Sequence, residues 1–249
     1  MSSLQPLLIA LQFLTIIPVR LSRSTTTSTS PSATQIGQSL LFYPVVGLLI
    51  SSLLLLTAWL LNTQSTAVSA VLILSLWVIL TGGLHLDGLA DSADAWLGGL
   101  GNKAKTLLIM KDPASGPIAV SLLILVLLIK FVMLVELLTQ QNYLAIVFAV
   151  TLARSALPLL FLTTPYVRQG GIGVILVANQ PRLATKWLLA GIALLTVIVS
   201  GLTLLISALI VFFILRYYMN QRLNGTTGDT AGAMVEILET TILITTVII

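Results

Sequence analysis

The sequence predicts an all-α fold: a polytopic membrane bundle of about seven transmembrane helices, forming one domain over residues 1–249. Three observations predict it. Hydrophobic residues make up 57% of the chain and charged residues only 8%, whereas a soluble domain carries about a quarter charged residues. The apolar residues gather into stretches close to the roughly 20 residues that cross a hydrocarbon core. The Lys and Arg residues fall almost entirely into alternate connecting loops. Together these exclude a water-soluble enzyme, a disordered chain and a nucleic-acid module. The formal net charge of +4 belongs to membrane-flanking loops rather than to a phosphate-tracking patch. The chain has no cysteine, which removes disulfides, thiolate nucleophiles and thiolate-held metals.

In chain order, residues 4–19 are apolar but lack a basic front end and a small-residue cleavage site. They read as an interfacial helix or a short span rather than a signal peptide. Residues 22–34 form a polar, low-complexity linker. Spans follow at 38–61, 67–80, 118–138, 144–162, 187–200, 202–219 and 231–249. The run from Trp187 to Met219 is too long for one crossing and is divided at Ser200-Gly201.

With 38–61 leaving the cytoplasm, one side collects Arg20, Arg23, Lys103, Lys105, Lys111, Arg168, Arg182, Lys186, Arg216 and Arg222. The loops on the other side contain no basic residue, and Lys130 and Arg154 lie inside spans. The excess of positive charge places 82–114, 164–186 and 220–230 in the cytoplasm.

The chain has eight acidic residues, and three of them, Asp87, Asp91 and Asp94, fall within eight positions. At about 100° per residue they share one helix face, spread over roughly 10 Å. Three carboxylates in a partly dehydrated setting repel one another, so at least one stays protonated unless a cation is present. An oxygen-only donor set favours a hard ion, Mg²⁺ or Mn²⁺, and Mg²⁺ is commonly shared between carboxylates and substrate phosphates. The cluster therefore reads as a metal-bridged phosphate site, against the alternative of a solvated acidic face. His85 lies on the opposite side of such a helix unless Gly82-Gly83 breaks the helix ahead of it. It is a candidate for catalysis or phosphate contact, and equally a structural histidine. Gly88, Gly98, Gly99 and Gly101 allow close backbone approach or a helix end.

Two further polar islands follow. In Met110-Lys-Asp-Pro113, Lys111 could balance phosphate charge and Asp112 could ligate metal, or Asp112 could cap a helix. In 224–240, Asp229 and Glu236 share a helix face, with Glu239 off it. Asp229 could be metal-binding or an N-terminal cap. The buried acids Glu236 and Glu239 call for partners such as Lys130 or Arg154, and Lys130 is expected to pair locally with Glu136.

The strings Gly83-LHLDGLADSADAW-Leu97, Met110-KD-Pro113, Thr164-PYVRQGGIG-Val174 and Thr227-GDTAGAMVEILE-Thr240 resemble those of the cobalamin synthase family, the adenosylcobinamide-GDP ribazoletransferases. The resemblance covers nearly the whole chain. One departure is the Pro113–Pro117 run, where family members usually carry a Ser-containing, Gly-rich sequence. It bears on a backbone phosphate cradle and leaves Lys111 and Asp112 in place. The resemblance implies a Mg²⁺-dependent inner-membrane enzyme that joins adenosylcobinamide-GDP to α-ribazole or its 5′-phosphate and releases GMP. Its partners would be those two substrates and the lipid bilayer, with no nucleic acid; the oligomeric state is left open. The expected metal ligands are Asp87, Asp91 and Asp94, joined by Asp112 and Asp229. The expected catalytic residues are Asp91, Asp94, Asp112, Asp229 and His85. Lys103, Lys105, Lys111 and Arg168 would hold phosphates. A CDP-alcohol phosphotransferase or a prenyltransferase is the rival enzyme class. A cation transporter fits less well, because its site would sit at the bilayer midplane.

Overall fold

The computed structural model describes residues 4–19 and 31–249, so Arg20, Arg23 and most of the 22–34 linker lie outside the described residues. Helix α1 (Gln5–Leu14) is followed by α2 (Ala33–Ser39), which runs through a single 3₁₀ turn into α3 (Tyr43–Leu60). Then come α4 (Thr66–Thr81), α5 (Leu84–Gly99), α6 (Lys103–Ile109), α7 (Pro117–Thr139) and α8 (Leu144–Thr163). The chain ends with α9 (Ile172–Ala178), α10 (Arg182–Ser200), α11 (Leu202–Leu223) and α12 (Gly228–Ile248). Among the described residues there is no strand, only one isolated backbone bridge.

Six helical segments are long and apolar enough to cross a membrane by themselves: α2–α3, α7, α8, α10, α11 and α12. The seventh predicted crossing, 67–80, is α4, which meets α5 at an 85° bend. Helix α1 is too short to cross at about 1.5 Å per residue, in keeping with the interfacial reading. Local signals account for the ends. Ser65 caps α4 by accepting from Val68 N–H. Gly82 and Gly83 both adopt left-handed backbone (φ 61° and 68°), which glycine enters without steric penalty, and this makes the sharp turn into α5. Gly201 (φ 83°) separates α10 from α11 where the long apolar run was divided.

Helices α8 and α12 form the centre. α8 packs on α3, and α12 packs on both α5 and α8. Most of α8 and α12 is buried, whereas α10 and α11 turn most of their residues outward. The outward side chains, Trp187, Leu194, Ile198, Ile210 and Phe213 among them, are apolar, as a lipid-facing surface requires.

At the middle of the bundle lies a dry group of four charges. Lys130 of α7 donates to Glu236 at 2.5 Å and to Glu239, both on α12. Arg154 of α8 pairs with Glu239. All four side chains are buried, and Lys130 also lies 4.9 Å from the centre of the Trp77 ring. The expected Lys130–Glu136 pair does not form. Helix neighbours on one face are three or four residues apart, and the six-residue spacing carries Glu136 round to an exposed position, where it accepts from Gln140. Two cations and two anions cancel, which is how ionised groups persist in an apolar interior.

Replacing Glu239 by Gln is expected to destabilise the protein by about 3–5 kcal/mol, because two buried cations are left with one carboxylate. Glu136→Gln should shift stability by no more than about 0.5 kcal/mol. Denaturation in detergent, followed by circular dichroism, checks both, and equal losses would refute the assignment.

Candidate functional site

Because α5 is one unbroken helix from Leu84, Asp87, Asp91 and Asp94 do share a face. That helix runs obliquely over the N-terminal parts of α7 and α12, with Leu89 packed between Val126 and Ala233. Gly88 is the point of closest approach. A Cβ there would stand 2.6 Å from the backbone oxygen of Asp229, so any side chain would force α5 off α12. The contact brings Asp229 beside Asp87 and Asp91.

Asp229 is not the helix cap that its position first suggests. Thr227 takes that role in a reciprocal capping box with Thr230, so the Asp229 carboxylate is left for other partners. A short backbone tie supplies one of them. Val167 N–H donates to Thr226 O at 2.9 Å, and Thr226 N–H donates to Pro165 O at 2.8 Å. This fastens the 164–171 segment to the start of α12 and sets Arg168 against Asp229, with Nη1 at 2.8 and 3.0 Å from the two carboxylate oxygens. The pair is only partly buried. Asp91 feels both sides of this arrangement. Burial, then the carboxylates of Asp87 and Asp229, push its pKa up to about 6, although Arg168 pulls the other way.

The other sequence-predicted residues are placed differently. Asp94 accepts from the backbone N–H groups of Gly116 and of Ala119, the latter at 3.0 Å, and so closes the N-terminus of α7 from a neighbouring helix. Those amides are thereby occupied, and the Pro113–Pro117 run offers no free cradle at that point. Asp112 is exposed and accepts from Ala114 N–H within its own loop. Lys105 and Lys111 are exposed and Lys103 half-buried; among the described residues none of them forms an ion pair. His85 is helical and buried, with Gly232 of α12 against its backbone, so it does not join the aspartate face. It lines a cavity of about 140 Å³ together with Tyr43, Asp87 and Asp229. Sequence reasoning missed Tyr43, which carries no signal beyond being one aromatic residue in an apolar span.

Among the described residues, no three His, Asp or Glu side chains converge tightly enough to enclose a metal. Mg²⁺ commonly needs only one or two carboxylates, the rest of its shell being water and phosphate. The crowding of Asp87, Asp91 and Asp229, all oxygen donors, suits that mode of binding.

The family model described as cobalamin-5-phosphate synthase matches residues 6–247. A protein of Pseudomonas fluorescens named adenosylcobinamide-GDP ribazoletransferase is 51% identical over 247 residues, covering 96% of this chain and 97% of that one. Proteins of the same name from Pseudomonas entomophila and Stutzerimonas stutzeri are each 52% identical, covering 96% of this chain and 97% and 96% of theirs. No solved structure matches the chain. With the matched residues running through every spanning helix and both acidic strings, the chain belongs to the cobalamin-5-phosphate synthase family.

Proposed function

We propose that this protein joins adenosylcobinamide-GDP to α-ribazole, or to its 5′-phosphate, with release of GMP, at a site built from α5, the start of α12 and the 164–171 segment. The observation that carries the reading is the contact at Gly88, which brings acids from two separate helices together beside one partly exposed arginine. In this reaction the ribose hydroxyl of the nucleoside attacks the phosphorus attached to cobinamide. A new P–O bond forms, the P–O bond to GMP breaks, and the hydroxyl proton passes to a carboxylate of the cluster. Phosphoryl transfer asks mainly for positioning and charge neutralisation.

Asp87 and Asp91, one helical turn apart, together with Asp229, would hold Mg²⁺. When bound, the ion neutralises charge on the diphosphate and on the departing GMP oxygen. Arg168 uses one nitrogen on Asp229 and has further donors to offer a phosphate oxygen. The N-terminus of α12 directs positive backbone dipole towards the same place. Lys103, Lys105 and Lys111, on or just beyond α6, supply long-range attraction for an anionic substrate. Asp94 acts as a positioning residue, holding α5 against α7. The Lys and Arg residues in the loops at this end support an orientation with the site on the cytoplasmic side of the inner membrane, the side with access to both soluble substrates.

Three outcomes are expected. Purified protein in detergent should form the nucleotide-bridged product with Mg²⁺ and lose that activity in excess EDTA; undiminished turnover in EDTA would overturn the metal assignment. Asp91→Asn should abolish turnover yet raise the thermal stability of metal-free protein at pH 7. The sign follows from a folded-state pKa near 6, above the unfolded value of 3.8: ionising Asp91 penalises the native state, so stability falls as pH rises from about 4 to 6, and the Asn variant escapes that loss. Melting curves of the two proteins should therefore converge below about pH 4. A periplasmic reporter fused after Gly101 should be inactive, and an active one would reverse the orientation.

A further inference from the structure

A larger cleft lies on the far side of α5. At about 100° per residue, Leu89 and Trp96 point away from Asp87 and Asp91. They line a hollow of about 390 Å³ together with Ile118 and Leu122 of α7, Tyr218 of α11 and Ala233 of α12. Helices α7 and α11 both pack on α12 without extended contact between themselves, which leaves a gap that α5 covers from one side. The rim residues Leu97, Ile118 and Tyr218 are exposed, so the gap opens outward. No acidic or basic side chain lines it, and Thr230 turns its hydroxyl to Thr226 and Thr227 instead.

Depth, size and charge limit the occupant. The hollow lies among the first turns of α7 and α12 and the last turns of α11, and the outward side chains nearby, Ile124, Leu125 and Ile214, are exposed and apolar. A gap at that level meets hydrocarbon rather than water. A helix about 10 Å across fills roughly 420 Å³ per turn, so less than one turn of a second copy would fit, whereas small-ligand sites begin at about 300 Å³. Charge comes from Arg222. Its guanidinium carbon lies 5.5 Å from the centre of the Trp96 ring, and Nη2 donates to Trp96 O at 3.0 Å. Among the described residues it pairs with no carboxylate. Helix α6, packed on both α5 and α11, carries Lys103 and Lys105 to the same end. Trp96 and Tyr218 are apolar rings with polar tips, the side chains that gather at headgroup level.

We propose that this cleft binds an anionic phospholipid: one acyl chain enters between α7 and α11 and lies against Ala233, and the headgroup phosphate rests at Arg222 over Trp96. An apolar slot with cations at its mouth is the form such lipid sites take between spanning helices. A zwitterionic lipid brings a cation of its own to Arg222 and forfeits most of that attraction, and a soluble phosphate leaves the slot unfilled. The chain supplies contact atoms to walls that otherwise lack them, and it braces α5 from the side opposite the aspartates. This inference stands apart from the reaction proposed above.

Spin-labelled lipids test the site. The full chain is placed in phosphatidylcholine nanodiscs doped with phosphatidylglycerol or phosphatidylcholine carrying the same label on an acyl chain. The motionally restricted fraction should favour phosphatidylglycerol about fivefold, the effect of one lysine or arginine acting on an anionic lipid. Arg222→Gln should bring that preference close to unity, and Arg222→Lys, which keeps the charge, should retain it. Ala93→Leu fills the hollow from α5 and should abolish the preference with the circular dichroism unchanged; should that variant not fold, the two Arg222 variants still decide. Equal restriction of the two lipids by the wild type would overturn the proposal, as would a preference that survives either Arg222→Gln or Ala93→Leu. Displacement of the labelled lipid by soluble glycerophosphoglycerol would reduce the site to a headgroup contact and overturn the acyl cleft. A dimer that Ala93→Leu dissolves would place a second copy there instead.

Discussion

The four buried charges at the middle of the bundle set the register on which the site depends. Lys130, Arg154, Glu236 and Glu239 come from three different spanning helices and can remain ionised only if all of them meet. An unpaired charge at that depth is unfavourable by several kcal/mol, so α7, α8 and α12 have little freedom to slide past one another. Fixing the depth of Glu236 fixes that of Asp229 on the same helix, seven residues away and so roughly 10 Å nearer the end. The network does no chemistry; it decides where the chemistry can be.

On that register the elbow at Gly82-Gly83 does the rest. A continuous helix after α4 would have carried Asp87, Asp91 and Asp94 away from the bundle. The 85° turn lays them over α12, and Gly88 lets the two backbones touch. Small residues at such a crossing, Gly232 on the α12 side facing Gly88, are what helix packing in a membrane uses in place of a hydrophobic driving force. The consequence is strain of an electrostatic kind. Asp91 feels the carboxylates of Asp87, Asp229 and Asp94 with one arginine to offset them, so its ionised form is disfavoured in the folded protein. That is a common trade between stability and activity.

The same geometry separates groups that look alike in one dimension. Asp94 lies on the same helix face as Asp87 and Asp91 but holds the start of α7. Asp112 follows a lysine in a family-like string but turns back on its own loop. Of the acids, Asp87, Asp91 and Asp229 are the ones that the fold gathers beside Arg168.

Much of this was legible in the residues. Helix class, the six or seven crossings and the division at Gly201 follow from apolar run length and from one glycine, because a hydrocarbon core enforces helices of nearly fixed length. The common face of the α5 aspartates follows from helical period. The need of Glu236 and Glu239 for Lys130 or Arg154 follows from burial of charge. Which partners meet did not follow: Lys130 passes over the nearer Glu136 for two residues more than a hundred positions away, since helical phase, not sequence distance, decides which side chains face each other. The cap at Thr227, the pairing of Arg168 with Asp229 and the cavity around Tyr43 likewise arise from the crossing of α5 over α12. Local periodicity determines what each helix presents, whereas the angle and depth at which helices cross are set jointly by residues far apart in the chain, and only the assembled bundle fixes them.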